Sequence, residues 1–188
     1  MVSEPVRPMR ADAARNRARV LEVAYEAFAS DGPSVPIDEI ARRAGVGAGT
    51  VYRHFPTKEA LFAAVIDDRV RGIVASGRAL LGSVGPGEAL FVFLREMVTM
   101  SATDHGLVEA LAGYGMDVDA AAPGAEAVFL ELLGDLLASA QRAGTARRDV
   151  GVAEVKALLV VCKATQSYGF EVTGKVTAVI EAGLRVSS

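Results

Sequence analysis

The stretch "AGVGAGTVYRHFPTKEAL", residues 44–61, gathers Thr50, Tyr52, Arg53, His54 and Lys58 around three glycines. Hydroxyl, guanidinium, imidazole and ammonium groups at this density are binders of phosphate oxygens. Gly47 and Gly49 stand at the start of a short helical pattern, where glycine costs about 1 kcal/mol relative to alanine. That cost has a physical reason if the backbone must come close to another surface. Val51 and Phe55, four residues apart, form the inner side of this helix and are expected to pack on Phe28, Ile40, Ala41 and Leu61. Thr50, Arg53 and His54 then point away from that core, with Tyr52 at the margin. Lys58 opens the next helix, where a cation opposes the helix dipole. A phosphate beside it, held by the free backbone N–H groups, removes the conflict.

These groups need a frame, and the apolar spacing predicts helices throughout, with no alternating strand runs. A first helix is expected over 12–30 with Asp12 as its N-cap, after a mobile tail over 2–11. A second follows over 37–44, with Ile37, Ile40, Ala41 and Ala44 facing inward and Gly45 as its left-handed stop. The third runs over 48–54, Pro56 ends it, and Thr57 caps a fourth that reaches about 81. "GSVGPG" at 82–87 breaks the chain. Further helices are expected over 88–103, 105–113, 125–143, 152–168 and 172–186. The second helix, the turn at Gly45-Val46-Gly47 and the third helix form a helix-turn-helix. Such a motif lays its second helix in the DNA major groove, N-terminal residues nearest the base edges. Gly47, Ala48 and Gly49 occupy that end, where the absence of large side chains lets the backbone approach the groove floor.

Bulk properties exclude several classes. The chain has 188 residues, is 51% hydrophobic and has a formal charge of −3, with mean hydropathy +0.30. A sizeable core is available, but no apolar run approaches the roughly 18–20 residues that span a bilayer. The N-terminus lacks the apolar region of a secretory signal, so a cytoplasmic protein without membrane contact is expected. The single Cys162 sits in an apolar run and reads as a buried, inert thiol. The net charge argues against indiscriminate coating of nucleic acid. Arg7, Arg10, Arg15, Arg17 and Arg19 against the lone Asp12 form a local basic patch suited to a directed contact. Arg7 and Arg10 are expected to follow DNA as an arm, and Arg15, Arg17 and Arg19 to meet phosphate. No catalytic residue, cofactor site or metal site is expected. There are two histidines, one in the recognition helix, and Asp117 and Asp119 lack companion ligands.

On these residues the chain resembles the TetR family of bacterial transcriptional regulators. "IDEIARRAGVGAGTVYRHFPTKEALFAAV" at 37–65 carries the likeness, through Ala44-Gly45-Val46, Tyr52 to Phe55 and Lys58 to Leu61, within a stretch of about 12–70. The resemblance implies an all-α homodimer of about nine helices per chain. Residues 1–58 would form the N-terminal arm and DNA-binding head, and 59–188 the ligand-binding and dimerisation domain. The fourth helix links the two, and the helices over 152–168 and 172–186 pair with their mates in a four-helix interface. Ala48, Gly49 and Tyr52 would lie at base edges, while Thr50, Arg53, His54 and Lys58 hold the backbone. Two positions depart from the family pattern. Pro36 stands where a capping Thr or Ser is common, and Gly47 where Ser is common; Arg42, Arg43 or the N-terminal arm is expected to compensate.

A regulator of this kind needs a signal, and the C-terminal half offers an apolar lining. Phe93, Met97, Met100, Tyr114, Phe129, Leu133, Cys162, Gln166 and Phe170 are the candidate pocket residues. Gln166 is the most telling, because a polar group in an apolar helix needs a partner. The expected function is a ligand-responsive regulator: a repressor that binds a palindromic operator as a dimer and is released by a small, largely apolar effector. The alternative is a helix-turn-helix-derived interaction module without specific DNA binding. The residues do not decide between repressor and activator.

Overall fold

The computed structural model of the chain describes residues 7–32, 34–100 and 123–186, the side chains of 7–11 excepted. Eight helices occur among them: α1 (Arg7–Asp31), α2 (Ile37–Ala44), α3 (Ala48–His54), α4 (Lys58–Ser83), α5 (89–100), α6 (Ala125–Arg142), α7 (Val152–Ala164) and α8 (Phe170–Leu184). A 3-10 turn, Thr165–Tyr168, joins α7 to α8. The expected helix over 105–113 lies outside the described residues. The chain divides within α4 into two compact units, one through Arg69 and one from Val70 through α5 and onward over 124–186.

The first unit is built on α1, which packs against both α2 and α3. Val20, Leu21, Ala24, Ala27 and Phe28 of α1 are buried together with Ile40, Val51, Phe55, Leu61 and Phe62. The Phe28 and Phe62 rings lie 4.5 Å apart between centroids. The apolar face follows the expected spacing, but α1 begins five residues before the expected Asp12. Pro8 falls within the first turn, where its missing N–H has no helical acceptor to lose. Residues 7–11 are therefore helix and not tail, and Asp12 sits inside it, paired with Arg15 instead of capping.

α2 stops as its sequence requires. Gly45 adopts φ 70°, and the Val46 N–H reaches back to Ala41 O at 3.0 Å, a pattern that demands a left-handed residue at the turn. The Arg19 Nε–H also donates to the terminal carbonyl of Ala44, at 3.1 Å. Glu39 accepts from Arg42 Nε and Arg43 Nε at 2.7 and 2.8 Å, and Arg43 continues to Asp31 at 2.6 Å. Hydrogen bonds from Arg42 and then Arg43 hold the Glu39 carboxyl down at about 2. A depressed carboxyl contributes stability above its unfolded value and loses it on protonation. The first unit of Glu39→Gln is therefore expected to differ most from wild type at neutral pH. The two should converge as pH falls from about 4.5 toward about 2, in urea titrations run across that range.

The second unit has its own core. Phe91, Phe93, Leu132, Leu133, Leu136 and Val155 are among its buried residues. Gly77 lets α4 approach it: a Cβ there would meet Leu132 Cδ2 at 2.6 Å and Phe93 Cε2 at 3.0 Å. Both neighbours are fully buried and have little room to move. Gly77→Ala is expected to destabilise by about 1–2 kcal/mol, overpacking outweighing the gain in helix propensity, as read by urea unfolding. After α8 the chain turns extended, and Ala146 bridges Arg185 through Arg147 N–H to Leu184 O and Val186 N–H to Thr145 O, both 3.0 Å. This isolated bridge forms no strand and leaves the fold all-α as expected; beside it, Thr145 Oγ1 donates to Gly87 O at 2.7 Å.

Candidate nucleic-acid interface

α3 is short and two-sided. Val51 is fully buried, and Phe55 closes the helix with its N–H on Val51 O at 2.8 Å. The opposite side presents Arg53, His54 and Tyr52, the last 46% exposed. Ala48, Thr50 and Lys58 are half-buried, and Gly47 and Gly49 are exposed. A Cβ at Gly49 would meet nothing within 4 Å, and one at Gly47 only Thr50 Oγ1 at 4.0 Å. Gly47 has φ −68°, a conformation open to any residue. Among the described residues, neither glycine is therefore required by packing or backbone geometry. All eight residues thus lie along one segment, from the α3 N-cap to the first residue of α4.

Local signals position that segment. Gly45 ends α2, and Thr50 N–H donates to Gly47 O at 2.8 Å to open α3. Thr57 Oγ1 accepts the Ala60 N–H at 3.1 Å, so the expected cap of α4 forms. Pro36 precedes α2 without a side-chain cap, its carbonyl taking the Glu39 and Ile40 N–H groups at 3.1 and 3.2 Å.

The basic groups of α1 divide between roles. Arg17 lies over the Phe55 ring, 5.5 Å from its centroid, and Arg19 holds the end of α2. These intrachain interactions join α1 to the recognition segment, a role the sequence pattern did not reveal because the partners are 38 and 25 residues away. Arg42 and Arg43, expected to compensate for the missing hydroxyls, are clamped by Glu39. The side chains of Arg7 and Arg10 lie outside the described residues.

The nine pocket candidates scatter. Phe93 and Leu133 are core residues of the second unit, and Met97 and Phe129 pack partly buried against that core. Cys162 is buried, with desolvation pushing its thiol pKa up. Met100 lines a shallow groove on α5. Gln166 and Phe170 line a cleft of about 400 Å³ between α5 and α8, and Gln166 Nε2 donates to Val98 O at 2.8 Å across it. Tyr114 lies outside the described residues, as do His105, Asp117 and Asp119. The cleft's Arg95 and Glu181 carry no sequence signal, because their pairing joins positions 86 apart.

Residues 20–65 match the family profile described as bacterial regulatory proteins of the tetR family, and residues 85–186 that of the C-terminal domain of SbtR-like transcriptional regulators. An HTH-type transcriptional regulator of Staphylococcus aureus is 43% identical over 54 residues, 28% of this chain and 29% of that protein. The match thus spans under a third of the length of these curated relatives. Among solved structures, the TetR transcription regulatory protein from Mycobacterium vanbaalenii is 65% identical at a TM-score of 0.84, with 95% of this chain and 100% of that one covered. A TetR transcriptional regulator from Streptomyces coelicolor is 28% identical at 0.76, covering 92% and 99%. Head, C-terminal half and whole-chain fold agree, and the chain belongs to the TetR family of bacterial DNA-binding transcriptional regulators.

Proposed function

We propose that the protein is a repressor that binds a palindromic operator as a homodimer and is released by a small, largely apolar effector. One observation carries the DNA-facing part: α3 buries Val51 while leaving Tyr52, Arg53 and His54 exposed beside a glycine that nothing among the described residues requires. In this reading Gly47 lets the backbone close on the groove. Ala48, Gly49 and Tyr52 meet base edges, and Thr50, Arg53, His54 and Lys58 meet phosphates. The dimer reading is supported by the outer faces of α7 and α8. Val160 and Val161 on α7, Tyr168 in the turn that joins the two helices and Val179 on α8 are all exposed, and large apolar side chains left open on neighbouring elements mark a surface that a partner covers. A second copy covers it, and two heads then read half-sites about one helical turn apart. The protein acts in the bacterial cytoplasm, where its operator lies. No helix among the described residues is long and apolar enough to cross a membrane.

Selection of sites from a random DNA library, followed by a salt series on the winner, tests this. An enriched palindrome, with sedimentation at twice the 19.6 kDa chain mass, is the expected result. Arg53→Ala is expected to reduce the slope of log affinity against log salt by about 0.9 for each phosphate that Arg53 neutralises. Absence of enrichment with weak binding even at low salt would overturn the operator reading in favour of an interaction module.

A further inference from the structure

The cleft between α5 and α8 is walled mainly by apolar groups, among them Val98, Phe170 and Ala178, and its volume of about 400 Å³ suits a small organic molecule. Its hydroxyls are already committed to the chain's own carbonyls. Thr99 Oγ1 donates to Arg95 O at 3.0 Å, and Thr177 Oγ1 donates to Thr173 O at 2.8 Å. The charged part of the lining is the Arg95–Glu181 pair. Arg95 uses only Nη1 for Glu181, reaching both carboxylate oxygens at 2.7 Å. Its Nε and Nη2 have no partner among the described residues and keep three N–H donors in the planar fork that suits an oxyanion.

Glu181 is the feature that sets the ligand's charge. It accepts a second cation, Arg185 Nη2 at 2.9 Å, and Arg185 in turn binds Glu88 through two bonds of 2.8 Å. Burial works to raise the Glu181 pKa, and the bonds from Arg95 and Arg185 outweigh it, so the group stays below its ordinary value. An anion can therefore take Arg95 from Glu181 while Glu181 keeps Arg185, and no buried charge is orphaned. A cation gains no such exchange, since it must compete with two arginines for one carboxylate.

We propose that this cleft binds an amphipathic organic anion, an apolar body with one carboxylate or sulfonate held by Arg95. The proposal rests on the effector-responsive reading for its biological purpose. The same exchange would loosen the tie between α5 and α8, since Arg95 and Glu181 join those helices directly.

The test uses two fluorescent probes of nearly one shape on the full chain: 1-anilinonaphthalene-8-sulfonate and the neutral N-phenyl-1-naphthylamine. Arg95→Met keeps the apolar stem and removes the donors. It is expected to weaken the sulfonate probe about tenfold or more and to leave the neutral probe within about twofold, a charge-specific split that a folding defect would not produce. Thr99→Phe, which places bulk in the cleft, is expected to weaken both. Failure of the wild type to bind the sulfonate probe saturably would overturn the proposal. So would equal affinity of wild type and Arg95→Met for the sulfonate probe, or indifference of both probes to Thr99→Phe. Operator affinity, measured separately with and without the sulfonate probe, keeps the two readings apart. Probe binding with the expected pattern supports the site even where operator affinity does not change, an outcome that would remove only the effector-responsive reading.

Discussion

Phe28→Ala is expected to lower the unfolding free energy of the first unit by about 3–5 kcal/mol. Phe28 is fully buried, and its ring lies 4.5 Å from that of Phe62, which is buried as well. The substitution loses the transfer energy of the ring, leaves a cavity beside Phe62, and removes an aromatic pair worth about 0.5–1.5 kcal/mol in its own right. Domains are stable by only about 5–15 kcal/mol, so most of the margin disappears. DNA binding should fall with it, because α3 is held in place by packing on α1. Urea unfolding followed by circular dichroism measures the first effect. A loss below about 1 kcal/mol, the level of an ordinary surface change, would contradict the packing described for α1 and α4.

The second large effect separates stability from function. Gly49→Leu should leave the first unit folded and slightly stabilised, by about 0.5–1 kcal/mol, because leucine is the better helix former and a Cβ at this position meets nothing. Operator affinity should fall on the order of a hundredfold. A bulky side chain wedged between α3 and the groove floor costs on the order of 2–3 kcal/mol, as overpacking does in a core. Thermal melting and a binding titration on the selected operator give the two numbers. Affinity within about twofold of wild type would show that the backbone at Gly49 does not approach the bases, since a clash of the expected size costs far more.

The family to which the chain belongs consists of regulators, not enzymes, and the division between its halves decides what their sequences reveal. The recognition segment was legible because every signal in it is local. Gly45 stops α2, Thr57 caps α4, and the spacing of Val51 and Phe55 orients α3, all through interactions within about one or two helical turns. The same locality made Glu39 a clamp that the i,i+3 and i,i+4 spacing of Arg42 and Arg43 could have announced.

Other features depended on chain folding. Asp12 looked like a cap because it is the first good capping residue before an apolar stripe, yet the helix runs on through Pro8 to Arg7. Apolar type alone could not separate Phe93, which fills the core against the Gly77 gap, from Phe170, which stands 89% exposed on α8. Burial depends on which helix arrives opposite, and that is a property of topology. Short-range periodicity and turn chemistry specify the helices, the helix-turn-helix and the face that α3 turns outward, so all three could be read from residue order. Three other features came into view with the packed chain: Arg19 secures α2, Arg185 bridges Glu88 and Glu181, and Arg95 meets Glu181 across a cleft. The Glu181–Arg185 step is local, but the partners of Arg19, Arg185 and Arg95 otherwise lie 25, 97 and 86 residues away. Side chains so distant along the chain meet only after the apolar faces have packed.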